Sequence, residues 1–199
     1  MALAPPGLGI ASENIFFSVI SRQTVDAHRE VHRMHVEKST ALATDSPWAK
    51  MPLQAIIRNT AGKKEYFALF GHAAQAWSHD FYWKSLHPQG KVPTAAFLRL
   101  IERDIGSFSA LKSALVEEGV SHFGSGWLWL VEKNGRLHIY ASDDAGHPLA
   151  NDQTPLLAVD LWEHAYCLDH GHDRAAHLFG VVQKLLNWRF AEKNWQRQI

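Results

Sequence analysis

Cysteine is nearly absent from this chain. Cys167 is the only one in 199 residues, so no disulfide can form within it, which suits a reducing compartment. An excess of either charge is missing too. Twenty basic residues balance twenty acidic ones, leaving no general field to attract nucleic acid or an anionic membrane. No apolar stretch approaches the roughly 20 residues needed to span a bilayer, and no internal repeat or low-complexity tract is visible. The opening MALAPPGLGIASENIFF lacks the charged start and apolar core of a secretory signal. Together these absences predict a cytoplasmic protein with neither nucleic acid nor membrane as partner.

Histidine and tryptophan, by contrast, are plentiful, at thirteen and eight. An apolar share of 46% is ordinary for a globular protein, and a chain of this length buries roughly 70% of the surface it would expose unfolded. Most of these histidines and tryptophans are expected at the surface and in the core respectively. A histidine-rich chain without a basic bias nevertheless directs attention to metal ligands.

Residues 22–43 contain no Pro or Gly and predict a long helix, broken at Asp45-Ser-Pro-Trp. A short helix is expected from Met51 to Asn59, and a second long one over 67–86, stopped by His87-Pro-Gln-Gly. Two long helices with a short connection predict an antiparallel hairpin. Beyond Pro93 the character changes. Residues 95–118 read as one helix, Trp127–Glu132 and Arg136–Ser142 as strands around Lys133-Asn-Gly, Leu156–Asp160 as a third strand, and 174–195 as a terminal helix. The fold class is α+β: an N-terminal antiparallel α-hairpin over 1–91, then a C-terminal α/β domain over 92–199 with a three-stranded antiparallel sheet and helices.

His28, His32 and His35 stand at i, i+4 and i+7, along one helical face. That spacing fits metal ligands, and it equally fits solvated polar positions. A zinc-protease motif is excluded, because Glu does not directly follow the first histidine in His28-Arg-Glu-Val-His32. Asp160 ends the apolar run Leu-Leu-Ala-Val, and His164 follows four residues later. A buried carboxylate there needs an ion-pair partner or a metal. One Asp with neutral imidazoles and an open position is a ligand set for redox-active iron or manganese.

The segment Asp160-Leu-Trp-Glu-His-Ala-Tyr166 resembles the Asp-x-Trp-Glu-His-Ala-Tyr signature of iron/manganese superoxide dismutases. Ala73-Ala-Gln-Ala-Trp-Ser-His-Asp-Phe-Tyr-Trp83, Phe123-Gly-Ser-Gly-Trp-Leu-Trp-Leu130 and Leu186-Asn-Trp-Arg-Phe resemble further motifs of that family, in family order over about residues 20 to 195. The resemblance implies a mononuclear metal held by His28, His79, Asp160 and His164 in a trigonal bipyramid completed by water or hydroxide. It implies a metal that cycles between 3+ and 2+ as superoxide becomes dioxygen and hydrogen peroxide. Gln75, four residues before His79, matches the iron-type pattern, so iron is expected, one per subunit, with manganese as the alternative. Trp83, Trp127, Trp129 and Trp162 map to the aromatic shell, and Glu163 to a residue that bridges to the His164 equivalent of a second subunit. A homodimer through the Glu163 and His164 region is implied.

The pattern breaks at the substrate gateway. The family's tyrosine lies eight residues after the first ligand, where this chain has Val36; His35 is expected to replace it only with a shift in helical register. Cys167 and His170-Gly171-His172 stand where the family has tyrosine and Tyr-Arg-Asn, and an N-terminal Leu-Pro-Tyr is missing. His32 and His35 are the candidate proton carriers, with turnover expected to follow a group near the unperturbed histidine value of about 6.5. The competing function is a redox-silent metal-binding or scaffold protein that retains the dismutase fold; a further one is turnover of another small oxidant such as peroxide.

Overall fold

Residue 22 begins the first helix because Ser21 caps it: its hydroxyl accepts the Thr24 backbone N–H at 3.1 Å. In the computed structural model, which describes residues 19–197, this helix, α1 (Arg22–Ala43), runs unbroken. The N-terminal stretch read for a leader and for Leu-Pro-Tyr lies almost wholly outside the described residues. Along α1, Val25, His28, His32, Val36 and Ser39 are buried, a three-to-four-residue period that makes one inward face. After α2 (Leu53–Thr60), α3 (Phe67–Ser85) returns antiparallel to α1. Ala73 and Ala76 are buried on α3, and the close approach they allow lets His32 Nε2 donate to the Ala76 carbonyl at 3.1 Å.

Residues 95–118, expected as one helix, form two: α4 (Ala95–Ile105) and α5 (Phe108–Ser121). Gly106 adopts φ 103°, a conformation only glycine takes readily, and its N–H closes α4 onto Ile101 and Glu102. Ser107 then caps α5 through the Ala110 N–H at 3.0 Å. Stop and start signals thus sit side by side, and the apolar periodicity across them hid both.

The sheet has the order β2-β1-β3, all antiparallel, from β1 (Gly126–Lys133), β2 (Arg136–Asp143) and β3 (Thr154–Asp160). Asn134 and Gly135 both have positive φ, the backbone of a tight hairpin turn whose twist matches the strands. Strand β1 is central and buried from Gly126 to Val131. A Cβ on Gly126 would lie 2.0 Å from the Ser142 carbonyl oxygen, so only glycine lets β1 enter the sheet here. The register sets Trp127 opposite Asp160.

The short helix α6 (Cys167–His170) leads to the terminal segment, which also differs from the single helix expected over 174–195. It comprises α7 (Arg174–Gly180), a π-helical turn over Val181–Leu185, an extended Leu186, and α8 (Trp188–Arg197). No Gly or Pro stands at the extended Leu186 itself. The break there comes from tertiary pairing: His87 N–H bonds the Leu185 carbonyl at 2.7 Å, Lys91 N–H the Leu186 carbonyl, and Asn187 N–H the Ser85 carbonyl. Backbone bonds to the chain leaving α3 replace those a continuous helix would have made.

Candidate metal centre

Four side chains from four places in the fold converge. His28 comes from α1, His79 from α3, Asp160 from the end of β3, and His164 from the turn after it. Their ligand atoms all lie within 4.8 Å of one another, and the first three residues are buried. Asp160 Oδ2 is 2.9 Å from His28 Nε2, 3.1 Å from His164 Nε2 and 3.6 Å from His79 Nε2.

The surrounding bonds aim these atoms. His79 Nδ1–H donates to the Gln75 carbonyl at 2.7 Å, which leaves the Nε2 lone pair for the cluster. Asp160 Oδ1 accepts the Trp162 backbone N–H at 2.8 Å, leaving Oδ2 at the centre. His28 Nε2 is fully buried and, though 2.9 Å from Asp160 Oδ2, makes no hydrogen bond, since the direction of approach is wrong for a ring N–H. Donor atoms gathered this closely around a common spot are what a shared cation requires. One carboxylate and three imidazoles form a donor set for iron or manganese.

Electrostatics agree. Burial works to raise the Asp160 carboxyl, but the His164 and His28 imidazoles outweigh it and hold the group well below the usual carboxylate range. Burial lowers His79 far below an ordinary histidine and lowers His28 as well, keeping both neutral. The site sets one carboxylate among three imidazoles.

Aromatic rings close it in. Trp83 packs on His28 at 4.7 Å between centroids, Trp127 meets His79 edge-on at 5.1 Å, and Trp162 stacks near His164 at 6.0 Å. Trp129 stands one layer back, against Trp127, and bonds Ser142 Oγ. Gln75 is buried and held at both ends: its Oε1 accepts from Trp127 Nε1 at 3.2 Å, and its Nε2 donates to the Asp144 carbonyl at 3.3 Å.

His35 lies against His79, with rings stacked at 25° and 5.6 Å apart. It reaches that ring from an unbroken α1, without a shift in helical register. Seven residues are just short of two helical turns, so i+7 faces the site more squarely than i+8, and Val36 is buried in the core. The expectation of a group near 6.5 does not hold for His35, which burial and the neighbouring His72 push down to about 4. His32 stacks on His79 at 5.5 Å, and one ring nitrogen is committed to Ala76.

Sequence reasoning did not find His72, whose Nδ1 lies 3.0 Å from His35 Nδ1. The signal was present as a repeated interval: His28 and His35 on α1 are seven apart, as are His72 and His79 on α3. Antiparallel helices with equal intervals pair the histidines at both levels.

Residues 93–194 match the family described as iron/manganese superoxide dismutases, C-terminal domain. The chain belongs to the iron/manganese superoxide dismutase family. It is 39% identical to the iron superoxide dismutase of Synechococcus elongatus over 182 residues, covering 90% of each chain. It is 36% identical to the iron enzyme of Coxiella burnetii, over 89% of this chain and 90% of that one. A manganese/iron superoxide dismutase of Rickettsia bellii is 37% identical, over 84% and 80%. The dismutase fold and the four-donor cluster therefore occur in a chain whose family is fixed by sequence over most of its length.

Proposed function

We propose that this protein is an iron superoxide dismutase, converting superoxide to dioxygen and hydrogen peroxide, with His28, His79, Asp160 and His164 holding the metal. The observation that carries the reading is the buried four-donor cluster, with His28 Nε2 pointed into it and unbonded. Iron bound there supplies one-electron exchange with superoxide in both directions.

The residues of this chain do the rest. Asp160 contributes the negative charge that favours a trivalent ion, and imidazoles holding it through a lone pair would add none. Trp83, Trp127 and Trp162 exclude bulk water, which strengthens the electrostatics inside. Gln75, immobilised by Trp127 and Asp144, presents a fixed amide beside His79 and supports iron over manganese. His35 is the proton donor at the gateway in place of the absent tyrosine, because it is the half-buried histidine outside the ligand set whose ring lies on His79. His32 steadies that stack from the buried side. The test is metal quantitation on purified protein with a xanthine-oxidase-coupled assay. About one iron per chain with dismutase turnover is expected. Iron-loaded protein without turnover would sink the enzyme reading in favour of a redox-silent metal protein.

We also infer a homodimer with its interface beside the metal. Glu163 is exposed next to His164 and has no ion-pair partner among the described residues. Arg174 ties the Tyr166 hydroxyl to the 122–124 loop, where Phe123 is 97% exposed, and Leu168 is also bare. Such apolar exposure around a charged cleft fits a second copy of the chain. Sedimentation at micromolar concentration should give a dimer, weakened by Glu163→Ala; a monomeric wild type rejects the interface. The single cysteine supports a reducing cytoplasm as the place of this antioxidant activity. Among the described residues no helix is long and apolar enough to cross a membrane.

A further inference from the structure

The Nδ1 atoms of His35 and His72 lie 3.0 Å apart across the seam between α1 and α3, with ring centroids at 5.1 Å and planes tilted by 45°. Two imidazole nitrogens at that distance cannot both present a proton or both a lone pair. One donates and the other accepts, so the contact fixes a tautomer on each ring. His35 is the member that reaches the site, stacked on His79, whereas His72 packs against His35 and no metal donor.

At that contact an N–H on one ring faces a lone pair on the other, the pairing that two neutral imidazoles make. A neutral ring gives up a proton only from the nitrogen that carries it. If His35 Nδ1 accepts from His72, that nitrogen is Nε2. If His35 Nδ1 donates instead, Nε2 bears a lone pair and has nothing to give.

We propose that His72 is a positioning residue for His35: its Nδ1–H donates to His35 Nδ1, holds the ring against His79 and keeps the His35 proton on Nε2. This rests on the dismutase reading with His35 as proton donor. Reduction of superoxide to peroxide consumes one electron and two protons, O2•− + e− + 2H+ → H2O2, and iron bound at the four donors would supply the electron. His35 Nε2 supplies one proton and water the other. As Nε2 releases its proton, His35 Nδ1 takes the one carried by His72 Nδ1, so His35 never becomes an anion. His72 takes a proton from solvent at its own Nε2, and exchange with water restores both starting tautomers.

Neutron diffraction from the iron-loaded enzyme reads the arrangement directly. A deuteron on His72 Nδ1 aimed at His35, with another on His35 Nε2, is expected; a deuteron on His35 Nδ1 overturns the proposal. Three variants give a second readout. His72→Asn keeps an N–H near the position of Nδ1, His72→Asp can only accept, and His72→Leu does neither. At full iron loading, kcat should fall about 10-fold or more in His72→Asp and His72→Leu with kcat/KM little changed, and His72→Asn should recover most of it. Equal kcat in wild type and His72→Leu would also overturn the proposal. A wild type that holds iron but does not turn over superoxide removes the dismutase reading instead, and the neutron map then still decides the tautomer.

Discussion

His79→Gln is expected to lose both iron and dismutase activity while the protein stays folded. His79 is fully buried, and its Nε2 sits 3.4 Å from His164 Nε2 and 3.6 Å from Asp160 Oδ2, at the middle of the donor cluster. Glutamine has similar bulk, so the rings of His35 and Trp127 that rest on His79 keep a surface to pack against. What disappears is an imidazole lone pair aimed by the 2.7 Å bond from Nδ1 to the Gln75 carbonyl. Losing a group that merely orients a ligand typically costs 10- to 100-fold, so losing the ligand itself should reduce activity by at least ~100-fold. Iron per chain by elemental analysis, turnover, and circular dichroism should be measured on the same preparation. Stoichiometric iron in the variant would remove His79 from the ligand set.

Acid should destabilise the fold steeply through two histidines that take no part in the metal centre. His177 is fully buried between the rings of Tyr166 and His170, both at 5.6 Å, and neither of its ring nitrogens has a partner. His147 is 2% exposed, and its Nε2 is likewise unpartnered. Burial pushes each down to about 3. The unfolded chain binds a proton at each near pH 6.5, and the folded chain does not until about pH 3. Stability is therefore complete above 6.5 and falls as pH drops from there toward 3, by about 1.4 kcal/mol per pH unit for each group. At pH 5 the two together cost about 4 kcal/mol, a large part of an ordinary folding free energy. The melting temperature should drop by roughly 10 °C between pH 7.5 and pH 5. His177→Leu loses no hydrogen bond and should remove about half of that drop. Melting curves that fall in parallel for wild type and variant would show that His177 does not titrate on unfolding.

The amino-acid sequence by itself determined the two long N-terminal helices, the strands around Asn134-Gly135, the α+β class and the order of the dismutase motifs, because each is written in a local interval or a local turn. It also named His28, His79, Asp160 and His164, since a motif that recurs across a family carries its long-range contacts in compressed form. Packing alone decided the rest. The break at Leu186 has no local signal, because it is made by backbone bonds to a segment about a hundred residues earlier. The place of His35 depended on helical phase: at seven residues it stays on the inward face, and at eight Val36 turns into the core. The His35–His72 contact needs two helices to run antiparallel at the right level. No interval within one helix encodes that, because the hydrogen bond exists only where two separately specified faces meet.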